Sequence, residues 1–391
     1  MRKIYFDYAA TTPLDPAVRR AMAPYFDIRF GNAGSLHSFG QEAMAAVDLG
    51  REKIVKALNL DILKGFREII FTGSATEANN LALRAAIEKF KIQNSKSEIP
   101  RIIVSAIEHE SVLETARDLE KEGAELVILP VKKNGLVDLE FLKKNLTENT
   151  ALVSVMFANN ETGVIQPIAE ISKIIKDFRG AKKFPLFHSD AVQAFQYLDC
   201  SPENLRVDLL TLSAHKICGP KGIGALYIRS GIFEKPLPII TGGGQEFGWR
   251  SGTENVPLIA GFGQAAEIAL AIREKESARI RDLRDFFWQE LKKIYSKAEL
   301  NNSLNNNLPN ILNVYFSGHL AEDLLIKADM VGVAVSAGSA CSARATKISH
   351  ILQAMGLPEK RIKSSLRFSF GRFTDRQEIK SGLAILKSEI F

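Results

Sequence analysis

Seven short apolar runs punctuate the first two-thirds of the chain, at residues 67–72, 101–105, 125–130, 150–156, 185–189, 208–213 and 223–228. Each is rich in Ile, Leu and Val and too short for a helix, so each predicts a buried strand. Between several of them, residues 75–91, 111–122 and 168–178 place apolar side chains at helical spacing. The alternation predicts a large α/β unit on a mostly parallel seven-stranded sheet, covered on both faces because the strands read as continuous apolar runs. After Gly252 the rhythm changes: a helical stretch runs from Val256 to about Ser296, followed by the Asn-rich NNSLNNNLPN at 301–310. Strands near 311–316 and 366–370, with helices between and after, predict a smaller α+β unit. A boundary near residue 258 follows, giving a large domain at 16–257 and a small domain from 1–15 and 258–391. No internal repeat is visible.

Composition sharpens the picture. With 391 residues, 46% of them hydrophobic and 25% charged, the chain is globular; disorder and collagen-like structure are excluded. The most apolar stretch, Val256–Ile272, carries Gln264 and Glu267, so it is expected to face a core and no membrane partner is expected. Asp7 interrupts the N-terminus before an apolar run of signal-peptide length develops, and a cytoplasmic location is the expectation. The net charge is +6, but Lys and Arg are scattered in pairs such as Lys132-Lys133 and Lys182-Lys183, which argues against a nucleic-acid partner. Three cysteines, Cys200, Cys218 and Cys341, are too few and too separated for a disulfide framework or a zinc site. His37, His188, His319 and His350 lack paired ligand spacing, so no structural metal is expected.

Candidate chemistry is sought beyond the carboxyl ends of the strands, where open α/β sheets bind ligands. There, TGSATEANN (72–80) opens a helix whose free amides suit a phosphate, with plain N-capping by Ser74 or Thr76 as the alternative. SAHKICGPKG (213–222) sets Ser213, His215 and Lys216 in a turn, HSDAVQ (188–193) adds Asp190, and AIEHES (106–111) adds His109. A lysine for a Schiff base, an acid for a pyridinium nitrogen, a phosphate cup and a ring to stack are what pyridoxal 5'-phosphate requires. A lone lysine in such a turn is otherwise an ordinary surface residue.

With these motifs the chain resembles the class V, fold-type I pyridoxal-phosphate enzymes, and within them the cysteine desulfurases of the NifS/IscS type. The likeness is carried nearly end to end by YFDYAATTPLDP (5–16), FGNAGSLHSFGQE (30–42), FTGSATEANN (71–80), EHESVL (108–113), NNETGVIQPI (159–168), SAHKICGPKGIGALY (213–227), GGGQEFGWRSGTEN (242–255), SAGSACSA (336–343) and RFSFGRFT (367–374). The resemblance implies that Lys216 bonds the cofactor, Asp190 pairs with its ring nitrogen, Gln193 with its phenolic oxygen, and His109 stacks on the ring. Ala75, Thr76, Ser213 and His215 would hold the phosphate, with Thr253 reaching across from a second subunit of a homodimer. Asn160 and Arg367 would orient L-cysteine, and Cys341 would take its sulfur as a persulfide for an acceptor such as an iron-sulfur scaffold. A selenocysteine lyase or another class V enzyme is the alternative, and a non-catalytic binding protein a further one.

Departures from the family pattern are local. Gly73-Ser74 inverts the usual order, Ala33-Gly34 replaces Pro-Ser, and Arg344, Lys347 and Ile348 make the Cys341 segment more basic, which points to an acceptor with an acidic surface. Cys200 is expected to be a small buried hydrophobe; Cys218 is expected to be packed, with a second reactive thiol as the alternative.

Overall fold

The structure, a computed structural model, describes residues 3–94, 98–338 and 348–389. Its twelve strands, in chain order, are β1 (Ile4–Tyr5), β2 (Ile69–Thr72), β3 (Arg101–Ser105), β4 (Glu125–Leu129), β5 (Thr150–Ser154), β6 (Leu186–Asp190), β7 (Leu209–Ser213), β8 (Gly224–Ile228), β9 (Ala298–Leu300), β10 (Ile311–Phe316), β11 (Val333–Ala334) and β12 (Ser365–Ser369). Seven of them form one sheet in the order β2-β8-β7-β6-β5-β3-β4. Only β8 runs against the rest: it pairs antiparallel with β2 and β7, while β3 with β4, β3 with β5, β5 with β6 and β6 with β7 are parallel. The mostly parallel sheet of seven strands is therefore as expected, and each apolar run became a strand within one or two residues of its predicted ends.

Helices cover the sheet. Ala75–Gln93, Glu110–Lys121 and Ile168–Arg179 fill the predicted helical segments, each starting just beyond a strand or a turn. The helix Ser38–Ala57, which the sequence pattern left unassigned, lies against the long helix Val256–Ile294. Contact is close enough to require glycine: a Cβ on Gly263 would stand 2.7 Å from the Cα of Gly50. By length and composition the long helix could cross a membrane. Phe262, Ala265, Ala266 and Ala269, however, are buried in the protein core.

Beyond the large sheet, β12, β10 and β9 make an antiparallel sheet in that order, and β1 pairs parallel with β11. Phe6, Phe287, Phe368 and Phe370 join the N-terminal segment, the long helix and β12, with ring centroids 4.9–5.6 Å apart. One continuous apolar cluster extends from Ile103 and Val153 of the large sheet to Phe316 and Phe368 of the small one. Through it, residues 5–12, drawn from the chain's start, reach the carboxyl ends of β6 and β7.

Candidate active site

A cavity of about 430 Å³ opens beyond the carboxyl ends of β2, β6 and β7, the size of a small-ligand pocket. Helix geometry supplies its first wall. Ser74 caps the helix Ala75–Gln93, its Oγ accepting from the Glu77 N–H at 3.1 Å, while the Glu77 carboxylate accepts from the Gly73 N–H at 2.8 Å. This reciprocal cap fixes the first turn, where Ala75 and Thr76 line the cavity with backbone N–H groups that no helical carbonyl can satisfy. Gly224 of β8 lets that turn approach, since a Cβ there would come within 2.6 Å of the Ser74 backbone.

The turn after β7 supplies the second wall. Ser213 ends the strand, and Ala214–Lys216 forms a short 3-10 turn. Lys216 Nζ donates to the carbonyls of Ala9 at 2.6 Å and Ala10 at 2.8 Å, and Gln193 Nε2 donates to the same Ala9 carbonyl at 2.9 Å. His215 Nδ1 lies 3.1 Å from Thr11 Oγ1. Burial, helped by the cations of Lys216 and Lys221, pushes the His215 pKa down to about 4, so its ring is neutral near pH 7.

A buried polar chain runs along the third wall. Asp190, at the end of β6, receives the Asn79 side-chain amide at 2.8 Å and the Val192 N–H at 2.9 Å. The same Asn79 amide nitrogen donates to Ser111 Oγ at 2.8 Å, and Ser111 Oγ lies 2.8 Å from His109 Nδ1. His109 also caps the helix Glu110–Lys121 by accepting from the Ser111 N–H. Burial lowers the His109 pKa, with the nearby Asp190 carboxylate opposing and the Lys216 cation assisting. Beneath, Glu108 is fully buried; its carboxyl accepts from Ser105 Oγ and Met156 N–H, and burial raises its pKa to about 8.

Arg367 projects from β12 into the fourth wall and is 1% exposed. Its Nη1 donates to the Asn160 carbonyl at 2.9 Å and its Nη2 to Asp7 Oδ1 at 2.7 Å. Its Nε and the side-chain oxygen of Asn160 are buried without a hydrogen-bond partner among the described residues. Unpaired buried polar atoms are costly, and a donor and an acceptor left open beside one cavity mark where a ligand's own acceptor and donor belong.

Comparison with known proteins follows this geometry. The aminotransferase class-V family matches residues 4–381. The chain belongs to that family. A relative named cysteine desulfurase IscS, from Dictyoglomus turgidum, is 43% identical over 386 residues, covering 99% of this chain and 94% of that protein. Among solved structures, a NifS-like protein superposes with a TM-score of 0.89 at 35% identity, covering 99% of this chain and 98% of the other. A structure described as SspA in complex with cysteine gives a TM-score of 0.81 at 33% identity, covering 95% and 100%.

Class V enzymes of this kind use pyridoxal 5'-phosphate, and the cavity suits it. The donor set is complementary: a lysine amine, a buried carboxylate, a neutral imidazole, and amides and hydroxyls for a phosphate, with Arg367 Nε and Asn160 Oδ1 still open. Ten of the twelve residues singled out from the sequence line it: Ala75, Thr76, His109, Asn160, Asp190, Gln193, Ser213, His215, Lys216 and Arg367. Thr253 does not; it is exposed in a segment held by Glu246, whose carboxylate takes Arg51 and the Phe71 N–H, and by the Arg250–Glu77 ion pair. Cys341, with Arg344 and Lys347, lies outside the described residues.

Three residues that hold the site's side chains in place escaped the sequence reading: Asp7, Asn79 and Ser111. All stand inside quoted motifs, yet spacing does not reveal their roles, because they bond residues 360, 111 and 32 positions away. Cys200 and Cys218 are both free and buried. Cys218 takes a left-handed backbone (φ 63°), donates its backbone N–H to Thr12 Oγ1, and has its thiol pKa raised by burial, which supports packing over reactivity.

Proposed function

We propose that this chain is a cysteine desulfurase, converting L-cysteine to L-alanine and passing the sulfur to Cys341. The observation that carries this reading is the open pair of Arg367 Nε and Asn160 Oδ1 in the cavity that holds Lys216. An α-carboxylate satisfies the guanidinium edge, and an amino acid's own N–H groups satisfy the amide oxygen. Pyridoxal phosphate, when bound, supplies an electron sink that acidifies the Cα–H of the amino acid joined to it.

The chain's residues do the rest. Lys216 holds the cofactor, and its amine, once released, moves the Cα proton. Asp190, kept in place by Asn79, would hold the ring nitrogen; Gln193 would hold the phenolic oxygen; His109, fixed by Ser111, would cover the ring. Ala75, Thr76, Ser213 and the neutral His215 donate to the phosphate. Cys341 acts as a thiolate: its sulfur bonds the substrate sulfur, the substrate C–S bond breaks, and the carbon keeps the electron pair and gains a proton to become alanine. The persulfide then passes to an acceptor, for which an iron-sulfur scaffold with an acidic surface suits the basic Arg344 and Lys347.

A homodimer belongs to the proposal. Thr253 is exposed and fits a role in a partner's site, and Phe26, Ile28, Phe30 and Leu36 leave an apolar face uncovered on a single chain. The division at residue 258 also belongs to it, since each part has its own sheet. Free thiols at Cys200 and Cys218 suit a reducing cytoplasm. The test is turnover of L-cysteine with a reductant: alanine and sulfide appear in equal amounts, and Lys216→Ala loses both the visible absorbance band and turnover. A colourless wild-type protein supports a binding role instead; sulfide-free turnover of selenocysteine alone supports a lyase.

A further inference from the structure

Glu161 has no part in the site as described, yet it is 1% exposed and directly follows Asn160, which lines the cavity. Its backbone is fixed: its N–H donates to Asn159 Oδ1 at 2.9 Å, and its carbonyl accepts from Asn313 Nδ2 at 3.1 Å. The preceding residue, Asn160, lines the cavity and holds Arg367 through its carbonyl. Away from the cavity, the Glu161 carboxylate accepts from Ser349 Oγ at 2.6 Å. Ser349 caps the helix His350–Ala354, and the neighbouring His350 Nε2 lies 3.1 Å from the Glu108 carbonyl, one residue from His109.

Gly338 stands beside the same carboxylate without a hydrogen bond to it. A Cβ placed there would lie 3.9 Å from both Glu161 carboxylate oxygens and 3.9 Å from Ser349 Cβ. Two positions eleven residues apart in sequence, one bonded to this carboxylate and one beside it, therefore lie close together. Cys341 is in the stretch between them. On the Gly338 side the chain is tied again to the substrate arginine's own strand: Ser336 and Arg367 exchange backbone hydrogen bonds at 3.2 and 2.7 Å, and Ser336 Oγ donates to the Gly338 carbonyl. Oε1 of Glu161 is buried with no partner among the described residues. An unpaired buried carboxylate oxygen carries a desolvation cost.

We propose that Glu161 is a positioning residue for sulfur transfer: by holding Ser349 beside Gly338 it sets the point to which the Cys341-bearing chain returns relative to Asn160 and Arg367. The inference rests on the desulfurase reading. Its consequence is a division of effects, because the clasp acts on delivery of the thiol and not on the grip on substrate.

The test measures alanine formation from L-cysteine by wild type, Ser349→Ala, Glu161→Ala, Glu161→Gln and the double Ala variant, with cofactor content and the absorbance change on adding cysteine recorded for each. Ser349→Ala and Glu161→Ala are expected to lose about tenfold in kcat, the scale of one hydrogen bond to a charged group, with KM and the absorbance change within about twofold of wild type. Glu161→Gln, which keeps an acceptor for Ser349, restores most of the loss, and the double variant is no worse than either single one. Unchanged kcat, a loss confined to KM, or losses that multiply in the double variant overturn the proposal. If Glu161→Ala does not fold, Ser349→Ala decides alone by the same criteria. A wild type that makes no alanine defeats the desulfurase reading itself; an active wild type with an unimpaired Ser349→Ala defeats only the clasp.

Discussion

Asp7→Asn isolates the charge that faces the substrate arginine. Arg367 is almost wholly buried, and Asp7 Oδ1 holds its Nη2 at 2.7 Å as a 1%/16% exposed ion pair. Asparagine keeps the shape and an acceptor oxygen but removes the charge. Leaving a buried guanidinium without its counter-charge costs about 3 kcal/mol. Spread over a transition entropy of about 2 cal/mol/K per residue for 391 residues, that lowers the thermal midpoint by about 4 °C. The second effect has the opposite sign. In wild type an arriving α-carboxylate shares Arg367 with Asp7; in the variant it no longer competes with Asp7 for that guanidinium, so binding recovers part of the lost stability. Thermal melts with and without saturating L-alanine measure both: the variant melts lower alone, and its ligand-induced rise exceeds that of wild type. A variant that melts with wild type shows that Asp7 is not the compensating charge. A smaller ligand-induced rise in the variant shows that the carboxylate is not received at Arg367.

Asn79→Ala removes the donor shared by Asp190 and Ser111, and pyridoxal phosphate is expected to be retained about tenfold less tightly, read by dialysis against a series of cofactor concentrations; equal retention contradicts the network. Cys218→Ala should keep full alanine formation, since the thiol is buried and poorly ionised, and a loss above about threefold would make it a participant. Burial lowers the folded pKa of His215 to about 4 and of His188 to about 3, below the usual 6.5, so the unfolded chain binds more protons than the folded one in between. Stability from these rings is complete above pH 6.5 and falls as pH drops toward 4; denaturant midpoints across that range should show the decline, and His188→Gln should flatten it.

The large sheet was legible because most of its strands are buried on both faces and so read as unbroken apolar runs, as in β5 and β7, buried at every residue, while the edge strand β4 is partly exposed. The helix Ser38–Ala57 was not, because its apolar face is built from Ala43, Ala46, Gly50 and Ile54, small residues whose packing value appears only against the long helix. The two-residue strands β1 and β11 exist by pairing with each other, a partnership between opposite ends of the chain that no local pattern encodes. At the site, Lys216, Asp190 and His109 were legible by their place after strands. Asp7, Asn79 and Glu161 were not, for each acts by orienting another side chain brought to it by the fold.

The central claim is that Cys341 takes sulfur from L-cysteine held at Lys216 and Arg367. The direct measurement is alanine release from L-cysteine, with a reductant present, by wild type and Cys341→Ala in parallel, with bound pyridoxal phosphate quantified in both. Alanine from wild type and none from a variant that keeps its full cofactor is the predicted result. Equal alanine from both proteins would contradict the claim and move sulfur removal away from Cys341.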